Sequence, residues 1–410
     1  MRGGRYEHTH AHRFRAGAAM TKPTILIVGG GTGGHVFPGL ALAEALTALA
    51  DVDVVFCGTD RGLEARVVPE HGFLLERLRV EPIQGGGLLR AARGGAVALA
   101  AMGEAFRTVR KHAPRVALSV GGYAAGPVSL AAAALGIPVA VLEPNRVAGL
   151  ANRLLAPFAS RAYVAWKETA TSFRARTVRH YGVPLRPGFF GRPYIPHPAG
   201  TEPRILVVGG SQGSAPLNER MPAAVGELLR RIGPVAVIHQ AGRDRDAQVR
   251  NAYASHGVTE ATVVAFIDDV ARALSEADVV VSRAGAVMLA EITAIGRASV
   301  LVPFPDAADD HQLRNADALA RLGGAVCINQ KAAAPTRLAA EIARLLRDDR
   351  ARIAMADRSR ACGRPGAARD VADDLLALAQ LTPAEPPRRG RNNGVLRHDA
   401  DDAGPDKRAL

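Results

Sequence analysis

The sequence predicts an α/β protein with two doubly wound, Rossmann-like domains that face each other across a cleft. Nearly the same segment occurs twice, at 25–34 and 205–213: four β-prone apolar residues, then glycines, then a helical pattern. Apolar strands alternate with helices in both halves, which is typical of βαβ units and parallel sheets. A chain of 410 residues, 48% of them hydrophobic, can form two cores. Ligands of such sheets bind beyond the carboxyl ends of the strands.

The first half reads as five buried strands with helices between them. We expect strands at 25–28, 52–57, 116–120, 139–142 and 162–164, and helices at about 38–50, 99–112 and 126–135. Runs of Val, Ile and Leu suit strands that are covered on both faces. The glycines after the first strand would present backbone N–H groups to a phosphate at a helix N-terminus.

Six prolines between Pro184 and Pro203 break this pattern and predict a linker. The second half then repeats it, with strands at 205–208, 235–239, 262–266, 279–282 and 299–302, and late helices at 336–347, 350–362 and about 367–381. We therefore place the domains at 21–186 and 187–363, with a C-terminal helix at 364–381 that returns toward the first domain. The ends, 1–20 and 382–410, have few large apolar residues and are predicted to be disordered.

Composition narrows the function classes. The formal net charge of +13 suits nucleic acid, phosphorylated ligands or an anionic membrane surface. No aromatic RNA-reading motif is present, so we expect no nucleic-acid partner. Three widely separated cysteines exclude a CxxC metal knuckle and favour a reducing compartment. No apolar run reaches the roughly 18 residues that a transmembrane helix needs.

The glycine run Gly29–Gly34 formally satisfies the GxGxxG pattern of dinucleotide-binding proteins. A dehydrogenase would also want an acidic residue after the second strand, for which Asp60 is a candidate. Against this, His35 follows the glycines directly, and the second copy offers Ser211 and Gln212 instead of the pattern. Imidazole titrates near neutral pH, so His35 is our candidate general base, with a structural role as the alternative.

Segment 282–291 reads as a strand end, a small-residue turn and a helix. Gly285 and Ala286 would let a phosphate approach the helix N-terminus. Glu291, further along that helix, could accept hydrogen bonds from ribose hydroxyls or could simply be an exposed helix residue. The acidic pairs at 51–53 and 244–246 read as a surface turn and a helix cap, so we predict no metal site and no cofactor.

Together these pieces resemble the peptidoglycan N-acetylglucosaminyltransferases of the MurG type, within the GT-B glycosyltransferases. The matching blocks run in family order from about Lys22 to Leu381: Gly30-Gly-Thr-Gly-Gly-His-Val-Phe-Pro-Gly39, Ser119-Val-Gly-Gly-Tyr123, Glu143-Pro-Asn145 with Ala148-Gly-Leu-Ala-Asn152, Gly209-Gly-Ser-Gln-Gly213, His239-Gln-Ala-Gly242, Phe266-Ile-Asp-Asp269, Arg283-Ala-Gly285 with Glu291, and Asp309-x-His-Gln312.

The resemblance implies an inverting transfer of N-acetylglucosamine from UDP-GlcNAc to the muramyl 4-hydroxyl of undecaprenyl-pyrophosphoryl-MurNAc-pentapeptide (lipid I), which gives lipid II. It also implies a location at the cytoplasmic face of the bacterial inner membrane, as a peripheral protein. In the second domain the resemblance implies that the donor's uracil contacts Ile267 and that its ribose binds Glu291. It also implies that the pyrophosphate binds Ser211 and the N-terminal part of the helix that follows Gly285, here called the helix mouth, and that the sugar contacts Gln312. That helix mouth comprises Ala286, Val287, Met288, Leu289 and Ala290. Thr32, Gly33, Gly34 and Asn145 would close from the first domain, and Arg186 would pair with phosphate.

The chain departs from the family pattern at two places. The family often has His-Glu-Gln-Asn-Gly where this chain has Leu142-Glu-Pro-Asn-Arg146, and it often has Asn where this chain has Val183. The glutamate, asparagine and Arg186 are kept.

A lipid-linked acceptor implies contact with a membrane. Leu88 and Leu89 beside Arg90 and Arg93 suit insertion at an anionic leaflet, while the alternative is an ordinary solvated helix face. Two enzyme alternatives stay open from the sequence: a UDP-GlcNAc 2-epimerase of the same fold, and a Rossmann NAD-dependent oxidoreductase. A non-catalytic nucleotide-binding or nucleic-acid-binding protein is the third.

Overall fold

Two parallel sheets, one in each half of the chain, form the frame of the protein. This computed structural model describes residues 22–78, 101–122, 124–174, 177–198, 200–210, 212–305, 307 and 310–383. The first sheet comprises β1 (Thr24–Gly29), β2 (Asp53–Gly58), β3 (Leu74–Arg77), β4 (Val116–Gly121), β5 (Val139–Glu143), β6 (Ala159–Val164) and β7 (Val178–Arg179). The second comprises β8 (Arg204–Val208), β9 (Ala236–Gln240), β10 (Thr262–Val264), β11 (Val279–Ser282), β12 (Ala298–Leu301) and β13 (Val326–Cys327). The predicted fold class is confirmed.

Both sheets have the same strand order around their first strand. The orders are β3-β2-β1-β4-β5-β6-β7 and β10-β9-β8-β11-β12-β13, with every neighbouring pair parallel. The chain therefore changes winding direction beside β1 and beside β8. Crevices at such switch points are where open α/β sheets bind ligands, and each glycine loop follows one of these two strands.

Helices cover both faces of each sheet. In the first half they are α1 (Gly33–Leu49), α2 (Glu64–Glu70), α3 (101–112), α4 (Ala125–Ala134) and α5 (Leu150–Leu155). In the second half they are α6 (Ala215–Ile232), α7 (Asp246–Ser255), α8 (Val270–Glu276), α9 (Ala286–Ile295), α10 (His311–Arg321), α11 (Pro335–Arg347), α12 (Asp349–Cys362) and α13 (Ala367–Leu378). Helices α1 and α13 pack on one face of the first sheet, and α3 and α4 on the other.

The last helix belongs to the first sheet by packing. Val371 and Leu375 of α13 lie in the same buried cluster as Leu40 of α1. The Tyr163 hydroxyl of β6 donates to Asp374 at 2.9 Å. In the proline-rich linker, Leu185 and Phe189 are buried against the second sheet. The boundaries that we placed at residues 186 and 363 stay predictions.

Helix α1 begins five residues earlier than the sequence indicated. Its N-cap is Thr32, and His35 and Val36 donate their N–H groups to the Thr32 carbonyl at 3.1 Å. The sequence analysis placed its start at about residue 38. The missing N–H of Pro38 instead costs the helix one hydrogen bond close to its start. Elements α2, β3, α5 and β7 were also not predicted, since each is short.

Several predictions fall outside the described residues. These are the ends at 1–20 and 384–410, the residues Leu88, Leu89, Arg90 and Arg93, and Ser211. Among the helices that the structure does describe, none has both the length and the apolar character needed to cross a bilayer.

Candidate active site

The first glycine loop crosses the loop that follows β4 at a distance only glycine allows. The Gly30 N–H donates to the Gly121 carbonyl at 3.1 Å. A Cβ added to Gly29, whose φ is +130°, would lie 2.0 Å from the same carbonyl oxygen. These glycines are thus required for packing of one loop on the other, and they fix where α1 begins.

A buried carboxylate that the sequence analysis missed holds the outer part of this loop. Glu64 of α2 is 1% exposed. Its oxygens accept from Gly31 N–H at 2.7 Å, from Thr59 N–H at 3.0 Å and from the Thr59 hydroxyl at 2.9 Å. No local motif marks Glu64, because the loop that it supports lies 33 residues earlier in the chain.

His35 lies in the first turn of α1 with a defined tautomer. Its Nδ1 is 3.1 Å from the Gly30 carbonyl, which can only accept, so Nδ1 carries the proton. The unprotonated Nε2 lies beside Gly121, where an added Cβ would be 2.9 Å away. Burial lowers the pKa of His35 below its ordinary 6.5, although the Gly30 bond and the nearby charges of Glu143 and Glu64 oppose that shift. The ring is a neutral base at pH 7.

The other predicted first-domain residues line the same turn. Thr32 is exposed, and its hydroxyl makes no capping hydrogen bond. Gly33 and Gly34 follow it as the first residues of α1. The N–H groups in the first turn of a helix have no partner within the helix. This turn therefore offers a hydroxyl and N–H donors beside the His35 base.

Asn145 is positioned by Glu143, which ends β5 and is 2% exposed. One Glu143 oxygen accepts from Asn145 N–H at 3.0 Å and from Asn145 Nδ2 at 3.2 Å. The other accepts from Gly149 N–H at 2.8 Å and from Asn152 Nδ2 at 3.0 Å. With both oxygens occupied, Glu143 orders the loop and does not act as a free base.

Two hydrogen bonds across the cleft tie this loop to the second domain. Asn315 of α10, fully buried, donates from Nδ2 to Asn145 Oδ1 at 3.2 Å. Its Oδ1 accepts from Arg146 N–H at 2.9 Å. We call this pair of bonds the asparagine clasp. The only local signal for the clasp is that Asn315 follows Gln312 by about one helical turn.

The N-terminus of α9 opens toward the cleft without a side-chain cap. Its N-cap is Gly285, and Ala286, Val287 and Met288 are partly exposed. Leu289 is 3% exposed and packs in the core, so it is less available to a ligand than the other four predicted residues of 286–290. Free N–H groups at a helix N-terminus can bind an anion.

Gln312, at the start of α10, closes the side of this site. Its Oε1 accepts from Ala284 N–H at 3.2 Å and from Phe304 N–H at 3.0 Å. The oxygen is thereby fixed, and the Nε2 donors have no partner among the described residues. Gln312 can donate to a sugar hydroxyl while it holds the two loops together.

Glu291 of α9 is a buried carboxylate. It is 7% exposed, and no hydrogen bond or ion pair reaches it from the described part of the chain. Burial raises the pKa of Glu291 to about 7, and the charge of Arg186 opposes that rise. Arg186 itself stacks on Phe37 of α1, with 5.1 Å from its guanidinium carbon to the ring centroid. Arg186 thus reaches from the linker to both domains.

Ile267 is only partly free to meet a ligand through its backbone. Its N–H already donates to Gln240 Oε1 at 3.1 Å, while Gln240 Nε2 donates to the Gly210 carbonyl at 2.8 Å. The carbonyl of Ile267 is the group left available. Gln240, which the sequence analysis missed as a positioning residue, couples the second glycine loop to the loop after β10.

The arrangement joins three chemical capacities in one cleft. Arg186 and the α9 N-terminus can stabilise negative charge on a phosphate. Unpaired Glu291 can accept hydrogen bonds from a pair of hydroxyls. His35 can take a proton from a group bound between the domains. The charge of His311, on the second-domain helix α10, acts on the pKa of His35, so the two domains face each other here.

Comparisons with known proteins agree with this geometry. The glycosyltransferase family 28 N-terminal domain matches residues 25–164, and its C-terminal domain matches residues 204–373. A curated relative from Sorangium cellulosum (strain So ce56), named UDP-N-acetylglucosamine–N-acetylmuramyl-(pentapeptide) pyrophosphoryl-undecaprenol N-acetylglucosamine transferase, is 54% identical over 87% of this chain and 89% of its own length. A relative of the same name from Myxococcus xanthus (strain DK1622) is 39% identical over 87% and 94%.

Solved structures give the same result. The crystal structure of Acinetobacter baumannii MurG matches with a TM-score of 0.71 and 31% identity, over 87% of this chain and 99% of that one. A UDP-GlcNAc 2-epimerase from Neisseria meningitidis, bound to UDP-GlcNAc, matches with a TM-score of 0.63 over 86% of this chain and 100% of that one. Its identity of 12% shows a shared fold alone.

Proposed function

Because the chain belongs to the glycosyltransferase family 28 enzymes that transfer N-acetylglucosamine to pyrophosphoryl-undecaprenol-linked N-acetylmuramyl-pentapeptide, we propose how its cleft carries out that reaction. The donor is UDP-GlcNAc, the acceptor is lipid I and the product is lipid II. The resemblance inferred from the motifs is confirmed. The epimerase alternative rests on a likeness of fold alone.

The donor occupies the second domain in this proposal. Glu291 accepts hydrogen bonds from the ribose hydroxyls, and the Ile267 carbonyl meets uracil beside it. The pyrophosphate takes the free N–H groups of 286–288, with Arg186 as its cationic partner and Ser211 of the glycine loop as a further donor. Gln312 donates from Nε2 to the sugar. The observation that carries this assignment is the buried, unpartnered Glu291 next to an uncapped helix N-terminus.

The acceptor enters from the first domain. His35 Nε2 removes the proton of the muramyl 4-hydroxyl as its oxygen attacks the anomeric carbon of the donor sugar. The bond from that carbon to the β-phosphate oxygen breaks, and UDP leaves with the negative charge. The α9 N-terminus and Arg186 stabilise this charge as it develops. Thr32, Gly33, Gly34 and Asn145 close over the sugar, and the attack from the opposite face inverts the anomeric centre.

Labelled UDP-GlcNAc, incubated with and without lipid I, tests this function directly. We expect label in the lipid fraction when lipid I is present, and neither transfer nor isomerised UDP-sugar when it is absent. Isomerisation of the UDP-sugar without acceptor would indicate the epimerase. Tight NADH binding without any response to UDP-GlcNAc would indicate the oxidoreductase.

The lipid-linked acceptor leads us to propose peripheral attachment to an anionic membrane at the cytoplasmic face. Leu150 and Leu154 lie about one turn apart on α5, and Phe158 lies in the turn that follows the helix; they are 64%, 65% and 53% exposed. We call these three residues the apolar stripe. This stripe follows β5, whose last residue Glu143 orders the cleft. Helix α5 packs with α4 on the sheet face that α3 also covers, and α3 follows the segment with Leu88 and Arg90.

Exchange of Leu150 and Leu154 for serine is expected to weaken binding to anionic vesicles by about tenfold or more, because the stripe loses apolar area. Sedimentation with phosphatidylglycerol vesicles measures this. Leu74→Ser, at a leucine 53% exposed on the distant strand β3, is the matched control and should bind normally. Arg90→Glu with Arg93→Glu tests the predicted basic patch. Unchanged binding of both double variants would contradict the membrane proposal.

A further inference from the structure

A second cavity lies between the domains, behind the helix that holds the donor. Its volume is about 510 Å³, which falls in the range of about 300–1,000 Å³ usual for small-molecule sites. Its first-domain wall includes Arg146, Trp166 and Val183, and its second-domain wall includes Leu289, Leu319 and Leu322. We call it the hinge cavity.

The hinge cavity is distinct from the donor groove. On α9 it is lined by Ala286, Leu289, Ala290 and Thr293, which recur at the spacing of a single helical face. Glu291 lies on the other side of this helix, where the charge of Arg186 acts on it. The two sites therefore share the first turn of α9 and diverge from there.

The polar groups around the hinge cavity favour an anion. Arg146, Lys167, Arg321 and Arg364 line it, and Glu168 is its one acidic lining residue. Glu168 is already paired with Arg146 Nη2 at 3.4 Å. The Nε of Arg146 is buried and has no hydrogen-bond partner among the described residues. Around the cavity, four cationic side chains face one carboxylate that is already paired, and this excess of positive charge favours a bound anion.

The remaining wall is apolar and contains a tryptophan whose fluorescence can report on binding. Trp166, the only tryptophan in the chain, crosses from the first domain and packs against the buried cluster of the second. Leu319, Leu322 and Ala361 complete the apolar surface. Pro144, Arg146 and Val183, three positions at which this chain departs from the family motif, all lie on this cavity.

We propose that the hinge cavity binds an amphiphilic anion, an aromatic or aliphatic body with a single carboxylate, phosphate or sulfonate head, as a regulatory site separate from donor and acceptor. The head meets Arg146 and the rim cations, and the body packs on Trp166. Because such a ligand contacts both domains next to the asparagine clasp, it stabilises this arrangement of the two domains. In many enzymes product release requires the domains to open, so we expect occupancy to lower turnover.

Two matched dyes test this site on the full chain. 1-Anilinonaphthalene-8-sulfonate carries the anionic head, and N-phenyl-1-naphthylamine is nearly the same body without it. We expect the sulfonate to quench Trp166 fluorescence saturably, to bind about tenfold or more tightly than the neutral dye, and to stay bound when UDP is added. Equal affinity of the two dyes, or displacement by UDP, would overturn the proposal.

Variants locate the binding. Arg321→Glu with Arg364→Glu should weaken the sulfonate about tenfold, whereas Arg350→Glu, an equally exposed arginine of α12 outside the cavity, should change it less than twofold. Ala361→Phe should fill the cavity and abolish quenching, whereas Ala247→Phe, at an exposed alanine of α7, should not. Normal binding of the sulfonate dye by both cavity variants would contradict the proposal.

The same variants separate this site from the catalytic proposal. Dodecanoate and dodecyl phosphate then compare the carboxylate and phosphate heads, and at least one should lower turnover in the native chain but not in Ala361→Phe. Equal inhibition of both proteins would place the amphiphile elsewhere. Failure of the transferase assay itself would leave the fluorescence result intact.

Discussion

Replacement of His35 by alanine is expected to lower kcat for lipid II formation by about 10²–10⁴-fold, with little change in KM for UDP-GlcNAc. The Gly30 carbonyl holds the proton on Nδ1, which leaves the Nε2 lone pair for the acceptor hydroxyl. Burial keeps the pKa of the ring below 6.5, so the ring is already neutral when substrate arrives. Steady-state kinetics with both substrates varied gives the two constants separately.

The pH profile gives a second readout. A base acts in its deprotonated form, so activity should fall as pH drops through the pKa of His35, which is lowered from 6.5. The acid limb of kcat, which reports the enzyme with its substrates bound, should therefore lie below pH 6.5 and vanish in His35→Ala, whereas kcat/KM also includes the titration of Glu291, whose pKa burial raises to about 7. His71→Ala is the matched control, since His71 makes the same kind of Nδ1 contact, to the Val67 carbonyl at 2.9 Å, away from the cleft. Near-native turnover of His35→Ala would remove it from the mechanism.

The sequence predicted those parts of the site that are local in the chain. The glycine loops, His35 and the N-terminus of α9 each lie within a few residues of a strand end. Their chemistry can therefore be recognised from a local motif. Glu64, Gln240 and Asn315 act on residues far from them in sequence, and only the folded chain shows their roles. In the sequence alone, a single Glu or Gln in an amphipathic segment does not indicate which backbone N–H group its side chain will bind.

The fold was predictable for a related reason. Parallel strands buried on both faces are continuous apolar runs, and the proline-rich segment separates two series of them. Short elements such as α5 and β7 lack enough residues for a period to show. The return of the last helix toward the first domain was predicted, but the contacts that hold it there, such as Tyr163 with Asp374, join residues far apart in the chain, and no local pattern encodes them. The exposed stripe of α5 was missed with the helix that carries it.

Replacement of Glu291 by glutamine should weaken UDP-GlcNAc binding by about 10–100-fold, because hydrogen bonds from ribose to a charged acceptor contribute roughly 1.5–3 kcal/mol. Isothermal titration with UDP-GlcNAc, and with UDP alone, measures the loss. The loss should be similar for both ligands, since the ribose is common to them. Glu219→Gln, at an exposed glutamate of α6, is the control and should bind normally.

The same change should stabilise the unliganded protein, which a purely structural carboxylate would not do. The folded-state pKa of Glu291 is raised from 4.5 to about 7, so the folded protein binds the proton more tightly than the unfolded chain. Stability from this residue is thus complete below about pH 4.5 and is lost as pH rises toward and through 7.

At about pH 8 the loss amounts to roughly 3 kcal/mol, since each unit of pKa shift corresponds to about 1.4 kcal/mol. Glutamine is neutral and similar in shape to the protonated acid, so Glu291→Gln does not undergo this loss of stability. Thermal unfolding should therefore favour Glu291→Gln at about pH 8 and show little difference at about pH 5. Equal stability at both values, together with native affinity for UDP, would contradict the ribose role. A buried charge that destabilises the unliganded protein is typical of a ligand-binding group, because that charge is stabilised only when the ligand binds.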